Sequence, residues 1–290
     1  MQQSPIILLS PAKLNLFFYI ERRRPDGYHE IASLYQAIDL YDTLSFTRVE
    51  QAAPQQDSLT CSDPEVPLNS SNLIFKATEL FRYKTALPLY LNITLNKKIP
   101  MRAGLGGGSG NAATTLWAMN KLAGFLVEHN QLMAWAGEIG SDCSFFLSQG
   151  SAYCTGRGEL IKQIAPLNKT TLWVVKPQEG LSTPRVYQTF CQKLRPQRDP
   201  KAALQRFLDK DPCYFNDLEL PALSLLPSLA VLKKRLLECG FHTVVLTGSG
   251  TAFFCLGEGV IPPALNVFSQ RVNFLNRKEC AWYGAEHDSS

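Results

Sequence analysis

The sequence predicts an α+β fold. Segments of strand and helix character are interleaved over 290 residues without a regular βαβα rhythm. Roughly 100 residues of mixed strand character precede one glycine-rich run, and a fresh strand with its own helices opens the second half. At 45% hydrophobic residues the chain has enough apolar side chains for a sizeable core, in one large domain or two medium ones.

The elements follow in order. Residues 6–20 read as extended. Ala12, Leu14, Leu16, Phe18 and Ile20 share one face, and Lys13, Asn15, Phe17 and Tyr19 the other. Arg24-Pro25-Asp26-Gly27 is a turn by composition. Ile31–Asp39 and Thr43–Val49 read as two further strands, and the Gln/Pro/Ser/Asp-rich residues 51–71 as an exposed loop. Asn72 is placed to cap a helix to Lys84, and Leu89–Leu95 reads as a strand. The glycine run leads into a helix over Ala112–Leu122, followed by a helix over Gln131–Ile139 and strands near Ser151–Cys154 and Leu160–Ile164. Thr171–Val175 is the strand that opens the second half. Thr183 then reads as an N-cap with Pro184 at the first helical position. Helices over 201–209 and 226–238 and strands at Thr243–Leu246, Phe253–Leu256 and Ala281–Tyr283 complete the pattern.

Charge is ordinary, with 29 basic and 25 acidic residues. The cluster Glu21-Arg22-Arg23-Arg24 reads as a solvated turn, so neither a nucleic-acid nor a membrane partner is expected; the slight positive excess suits an anionic small-molecule substrate. None of the eight cysteines falls in a C-x-x-C or in zinc-like spacing with histidine. The N-terminal residues lack the pattern of an export signal, and no apolar run is long enough to span a bilayer. Dispersed cysteines without such a signal imply a reducing cytoplasm.

The chemistry centres on Pro100-Met101-Arg102-Ala103-Gly104-Leu105-Gly106-Gly107-Gly108-Ser109-Gly110. Five glycines within 104–110 carry a large conformational cost, which anion binding explains. A backbone without Cβ atoms approaches a phosphate closely, and the helix that follows adds the positive end of its dipole. No Gly-Lys-Ser/Thr closes the run, so it is not a Walker loop. Gly108-x-Gly110-x-x-Ala113, with Glu128 twenty residues beyond Gly108, also fits a dinucleotide fingerprint. A Rossmann-type oxidoreductase is therefore the competing reading, although that motif belongs in the first βα turn of its unit. On residue type alone, Asp142 is either a general base or a helix N-cap. Lys13 is either a charge partner or an exposed strand lysine, and Tyr187 either a binding platform or a core aromatic.

Several segments together resemble the GHMP kinases. Pro11-Ala12-Lys13-Leu14-Asn15-Leu16, the run from Pro100 to Gly110, and Thr247-Gly248-Ser249-Gly250-Thr251 are similar, in order, to the three motifs of that family. Within it, five segments resemble the members that act on a cytidine-diphosphate-linked alcohol. They are Pro25-Asp26-Gly27-Tyr28-His29, Gly140-Ser141-Asp142-Cys143-Ser144-Phe145-Phe146-Leu147, Gly156-Arg157-Gly158-Glu159, Ser182-Thr183-Pro184-Arg185-Val186-Tyr187 and Asn216-Asp217-Leu218-Glu219. Two positions depart from the pattern. Gly110 stands where the family has a second serine, and Cys143-Ser144 where Val-Pro is usual.

The resemblance implies a two-domain fold with its active site in the cleft. An N-terminal ribosomal-protein-S5-like, ATP-binding domain would span 1–160 and a C-terminal α/β sandwich 161–290. It implies a kinase that uses ATP, with Mg2+ brought by the nucleotide, and an alcohol acceptor. Asp142 would take the acceptor's proton, Lys13 would offset developing charge, and Asn15 would hold the substrate. Tyr28 and Tyr187 would sandwich the base, His29 would hydrogen-bond to it, and Gly248–Gly250 would shape the cleft wall.

Overall fold

The computed structural model describes residues 4–50, 54–192, 196–279 and 281–283. The first sheet is built on two long antiparallel strands, β1 (Ile6–Arg23) and β2 (His29–Arg48). They carry β3 (Ser58–Cys61), β4 (Leu91–Asn96), β5 (Ser151–Gly156), β6 (Leu160–Gln163) and β8 (Phe215–Asn216). The main path runs β3-β4-β2-β1-β8, and β5 pairs with both β2 and β6. The helices α1 (Leu73–Thr85), α2 (Gly107–Leu122), α3 (His129–Ile139) and the single turn α4 (Cys143–Phe146) share one core with this sheet.

The second sheet is antiparallel, in the order β11-β7-β10-β9, from β7 (Thr171–Lys176), β9 (Thr243–Leu246), β10 (Phe253–Leu256) and β11 (Phe268–Asn273). It is accompanied by α5 (Thr183–Thr189), α6 (Pro200–Leu208), α7 (Glu219–Leu225) and α8 (Ser228–Glu238). A middle core joins the sheets, where Ala12, Leu14 and Leu16 of β1 meet Leu172 and Val174 of β7 and Phe254 of β10. The two sheets thus share this core through β1, and the strand that carries Lys13 lies at their junction.

Several elements differ from expectation for identifiable reasons. The two strands expected at 31–39 and 43–49 are one 20-residue strand. Pairing jumps from Pro11↔Tyr41 to Ala12↔Ile38, and the bulge lets β2 run on through Asp42, a buried acid that reads as a break in sequence. The 51–71 loop contains β3, a short strand paired in parallel with β4. α2 starts at Gly107, so the end of the glycine run is helical. Ser182, not Thr183, is the N-cap of α5, with Pro184 in its first two positions. β8, α7 and β11 were not expected. Ala281–Tyr283 is not a strand. Its apolar side chains pack into the first core instead: Trp282 donates from Nε1 to Leu9 O at 2.7 Å, and the Arg277 guanidinium lies over the rings of Trp117, Trp282 and Tyr283. Two pieces of the second half therefore return to the first sheet's side, β8 at its edge and this segment in its core. Helix α1 begins as expected, with the Asn72 side chain accepting from Ile74 N.

Candidate active site

Lys13 and Asp142 meet at the bottom of a cavity of about 680 Å³. The bulge after Pro11 resets the β1 register and turns Lys13 toward the glycine run, where its own amide donates to Leu105 O at 2.9 Å. Its Nζ lies 3.3 Å from Asp142 Oδ2, donates to Asn15 Oδ1 at 2.6 Å and sits 4.5 Å from the centre of the Tyr35 ring. The lysine side chain is only 3% exposed, against 29% for Asp142. A buried ammonium needs this number of partners to offset its lost hydration. Asp142 directly precedes α4, yet its side chain caps nothing there. It accepts from Tyr35 Oη at 3.0 Å and faces the cavity. Burial and the adjacent carboxylate push the Tyr35 phenol well above its ordinary value, so it stays a donor to Asp142.

Asn15 is fully buried beside the lysine, next to Gly248 of the cavity wall. Its Oδ1 accepts from Lys13, its Nδ2 donates to Ser33 Oγ at 2.9 Å, and its amide donates to Thr247 Oγ1 at 2.9 Å. In this arrangement it aims the ammonium.

Two glycine turns interlock behind this pair. Gly104 (φ +83°), Gly106 (φ +71°) and Gly248 (φ +59°) all occupy the left-handed region. A Cβ on Gly104 would overlap Thr247 O, and one on Gly250 would overlap the backbone of Ala103 and Gly104. A Cβ on Gly106 would come within 2.9 Å of Lys13 Cγ and of Phe146 Cζ. Ala252 N donates to Ala103 O at 3.1 Å and closes the contact. The glycines at 248 and 250 thus form a wall that the first glycine run leans on.

On the other side of Gly104 and Gly106 lies a second cavity, of about 350 Å³, lined by residues 100–109 and by Ser71, Asn72 and Lys97. The N-terminus of α2 opens here, with no side chain capping it. The first intrahelical bond in the run is Gly110 N to Gly106 O, so the amides ahead of it project from the helix end. Space beside Gly108 is open. Uncapped amides and a helix dipole suit a phosphate chain. The floor is fixed by Asp42, fully buried, which accepts from the amides of Lys98 and Ile99 (2.8 Å each), from Asn111 Nδ2 at 3.1 Å, and from Lys97 Nζ. Position 110 faces away from this space: a Cβ there would come within 2.9 Å of Pro11 O and 3.0 Å of Ser10 Oγ. Burial pushes the Cys143 thiol up to about 12, against a hydrogen bond with Ser109 that acts the other way. No group of three or more His, Cys, Asp or Glu gathers to hold a metal among the described residues. The oxygens that flank the loop, on Asp142 and Ser109, suit an ion that arrives already bound to phosphates.

At the other end of the larger cavity, the 24–27 turn presents Tyr28, 56% exposed. The turn is closed by Gly27 N to Arg24 O at 3.1 Å and by Tyr28 N to Asp26 Oδ1 at 3.1 Å. The His29 ring stacks on Tyr187 at 5.1 Å and meets Phe190 edge-on at 6.0 Å. Arg157 lies over the Tyr28 ring at 5.1 Å. Lys13, Asp142, Tyr28, His29, Tyr187, Gly104, Gly106 and Gly248 all line this one cavity.

Sequence reasoning gave no role to Tyr35, Asp42, Asn216, Asp217 and Thr247. Asn216 Nδ2 donates to Leu246 O at 2.8 Å and Gly248 O at 2.7 Å, and Asp217 Oδ2 accepts from Ile20 N at 2.9 Å. They tie the second glycine turn to β1. Asn216 and Asp217 stood in a family-like motif, which was the available signal. The dinucleotide-fold reading falls: the strand ahead of the run, β4, pairs antiparallel with β2 in a sheet whose only described parallel pairs are β3–β4 and β1–β8. No helix among the described residues is long and apolar enough to cross a membrane.

Residues 72–150 match the family described as GHMP kinases N terminal domain. The chain is 49% identical to a 4-diphosphocytidyl-2-C-methyl-D-erythritol kinase of Protochlamydia amoebophila, over 96% of this chain and 93% of that one. It is 42% identical to the chloroplastic 4-diphosphocytidyl-2-C-methyl-D-erythritol kinase of Oryza sativa subsp. japonica, over 95% of this chain and 72% of that one. A crystal structure of a 4-(cytidine 5'-diphospho)-2C-methyl-D-erythritol kinase superposes with a TM-score of 0.77 at 32% identity, covering 94% of this chain and all of the other.

Proposed function

Because the chain belongs to the 4-diphosphocytidyl-2-C-methyl-D-erythritol kinases, within the GHMP kinases, we propose that it transfers the γ-phosphoryl group of ATP to the 2-hydroxyl of 4-diphosphocytidyl-2-C-methyl-D-erythritol. The product is the 2-phosphate, an intermediate of non-mevalonate isoprenoid precursor synthesis. The observation that carries this reading is the Lys13–Asp142 pair at 3.3 Å, set against the backbone of the glycine run between two cavities.

Phosphoryl transfer asks the protein for positioning and charge neutralisation more than for covalent chemistry. The amides of the 104–110 run hold the phosphates of ATP in the smaller cavity, and residues 100–103 line the way to them. Mg2+ bound to the nucleotide would supply charge neutralisation on the phosphates, with Ser109 and Asp142 as the side chains that would face it. Asp142 accepts the proton of the attacking hydroxyl, with Tyr35 orienting the carboxylate. Lys13, held by Asn15, offsets negative charge at the acceptor oxygen and the transferring group. Tyr28 and Tyr187 supply rings for the cytosine, and His29 its hydrogen bond. Residues 1–160 form the nucleotide-binding half and 161–290 the second half, which contributes Tyr187 and the Gly248–Gly250 wall. The free thiols of the seven described cysteines suit a reducing cytoplasmic setting.

The test is ADP release with a panel of alcohols, each supplied alone with ATP and Mg2+. Release is expected with the cytidine-diphosphate-linked methylerythritol and not with mevalonate, homoserine or galactose. Turnover of one of the small alcohols in preference to it would overturn the substrate assignment.

A further inference from the structure

We propose that Arg157 recognises the diphosphate of the acceptor substrate, and so selects a cytidine-diphosphate-linked alcohol over a bare one. The proposal rests on the function proposed above and deepens it.

The covalent order of that substrate is base, ribose, diphosphate, alcohol. The rings of Tyr28, His29 and Tyr187 line the same cavity as Lys13 and Asp142. Two phosphates must therefore lie between them, close to the Asp142 carboxylate. Placing that charge in a partly closed cavity without a cation is unfavourable.

Among the described residues, the Lys and Arg side chains that line the cavity are Lys13, Arg23 and Arg157. Lys13 is committed to Asp142 and Asn15 and is almost wholly buried. Arg23 pairs with His29 across the β1–β2 ladder, which places it at the nucleoside end. Arg157 stands in the turn between β5 and β6, and that turn touches both ends. Its guanidinium lies 5.1 Å from the Tyr28 ring. The next residue, Gly158, sits so close to Asp142 that a Cβ there would be 2.9 Å from Tyr35 Oη and 3.5 Å from Asp142 Oδ1. The turn thus bridges the span that the diphosphate must occupy.

The Glu159 carboxylate holds the Arg157 backbone and one nitrogen of its guanidinium, leaving the two terminal nitrogens. Glu159 accepts from the Arg157 amide at 2.6 Å and lies 3.5 Å from Nε. The terminal nitrogens are the pair that grips a phosphate through two parallel hydrogen bonds. A cation resting on a half-exposed ring holds weakly, so exchanging Tyr28 for phosphate oxygens favours the bound state and frees the ring for the base.

Calorimetric titration with cytidine, CMP and CDP tests this on the wild type, Arg157→Gln and Arg157→Lys. The wild type is expected to bind CDP more tightly than cytidine. In Arg157→Gln, CDP affinity should fall by about 10- to 100-fold, with cytidine affinity within about threefold of wild type. Arg157→Lys should recover part of the loss, since it keeps the charge and loses the fork. In turnover, the KM for the cytidylyl substrate should rise in Arg157→Gln and the KM for ATP should not. Equal losses for cytidine and CDP would mean that Arg157 only supports the pocket, and an undiminished preference for CDP would remove it from recognition; either result overturns the proposal. A wild type that binds no cytidine ligand at all would overturn the substrate assignment itself, and this proposal with it.

Discussion

The two ends of the larger cavity are built differently. At the Lys13–Asp142 end each group is fixed several times over. Lys13 has a carboxylate, an amide oxygen and a ring around its ammonium, and Gly106 packed against its stem. The backbones of the 104–106 and 248–250 turns leave no room between them for even one Cβ. At the nucleoside end, Tyr28 projects from a surface turn, and His29 stacks on Tyr187, which packs against the core beneath α5. Transfer of a phosphoryl group tolerates little misplacement, so its groups are over-determined. On the proposed function, choice of the acceptor rests on rings and a cation, of which Tyr28 stands on an exposed turn. On the proposed function, the phosphoryl-transfer groups thus sit against interlocked backbone, and the acceptor is chosen by side chains.

Asp142→Asn is the strongest way to break this comparison. It keeps the shape and the Tyr35 contact but removes the proton acceptor. The value of kcat should fall by about 10²–10⁴-fold, with ATP binding by calorimetry unchanged. Full turnover in this variant would take Asp142 out of the mechanism. Next in size is Gly250→Ala. The added methyl must displace the backbone of Ala103 and Gly104. It should destabilise the fold by about 2–4 kcal/mol, read as a lower Tm, and reduce kcat along with it. An alanine tolerated at 250 with full activity would show that the two turns are not interlocked.

The same contrast explains what could be read from sequence. The over-determined end was legible because its constraints appear as residue types: a glycine-dense run, a Lys–x–Asn on one strand face, an Asp ahead of an apolar turn. Ambiguity lay where a tertiary contact decides. Asp142 reads equally as a cap until Lys13 and Tyr35 are seen beside it. Asp42 looks like a strand break because the Lys97, Ile99 and Asn111 partners that let it be buried come from far along the chain. Gly107–Gly110 has poor helix propensity, yet packing of α2 on the first sheet carries the helix back through it. Trp282 and Tyr283 have the composition of a strand, and their burial comes instead from Arg277 and Leu9.

Smaller effects should appear at the ring end. Tyr187→Leu keeps apolar contact for α5 but removes the stacking face. By the strength of base–aromatic stacking, CDP affinity should fall by about 1–3 kcal/mol, with Tm nearly unchanged. A loss of Tm comparable to that of Gly250→Ala would mean that Tyr187 is a core residue, and the contrast between the two ends would vanish.

The smallest predicted effect is a pH dependence confined to this end. Burial holds the His29 imidazole below its ordinary value of 6.5, and the Arg23 guanidinium adds to the depression. The unfolded chain therefore binds this proton before the folded one does. Stability from the neutral ring is present above pH 6.5 and is lost as pH falls through that value toward the folded one. His129 shifts in the same direction, through burial and Arg277, so the overall fall in Tm on acidification belongs to both. Ligand binding separates them. Protonating His29 beside Arg23 adds repulsion and removes the ring's acceptor nitrogen, so cytidine affinity should weaken several-fold between about pH 7 and pH 5 while ATP affinity follows a different profile. His29→Gln should flatten the cytidine profile and leave the His129 share of the Tm slope in place. A cytidine profile that keeps its slope in His29→Gln would assign the titration to another group and leave His29 as a packing partner of Tyr187.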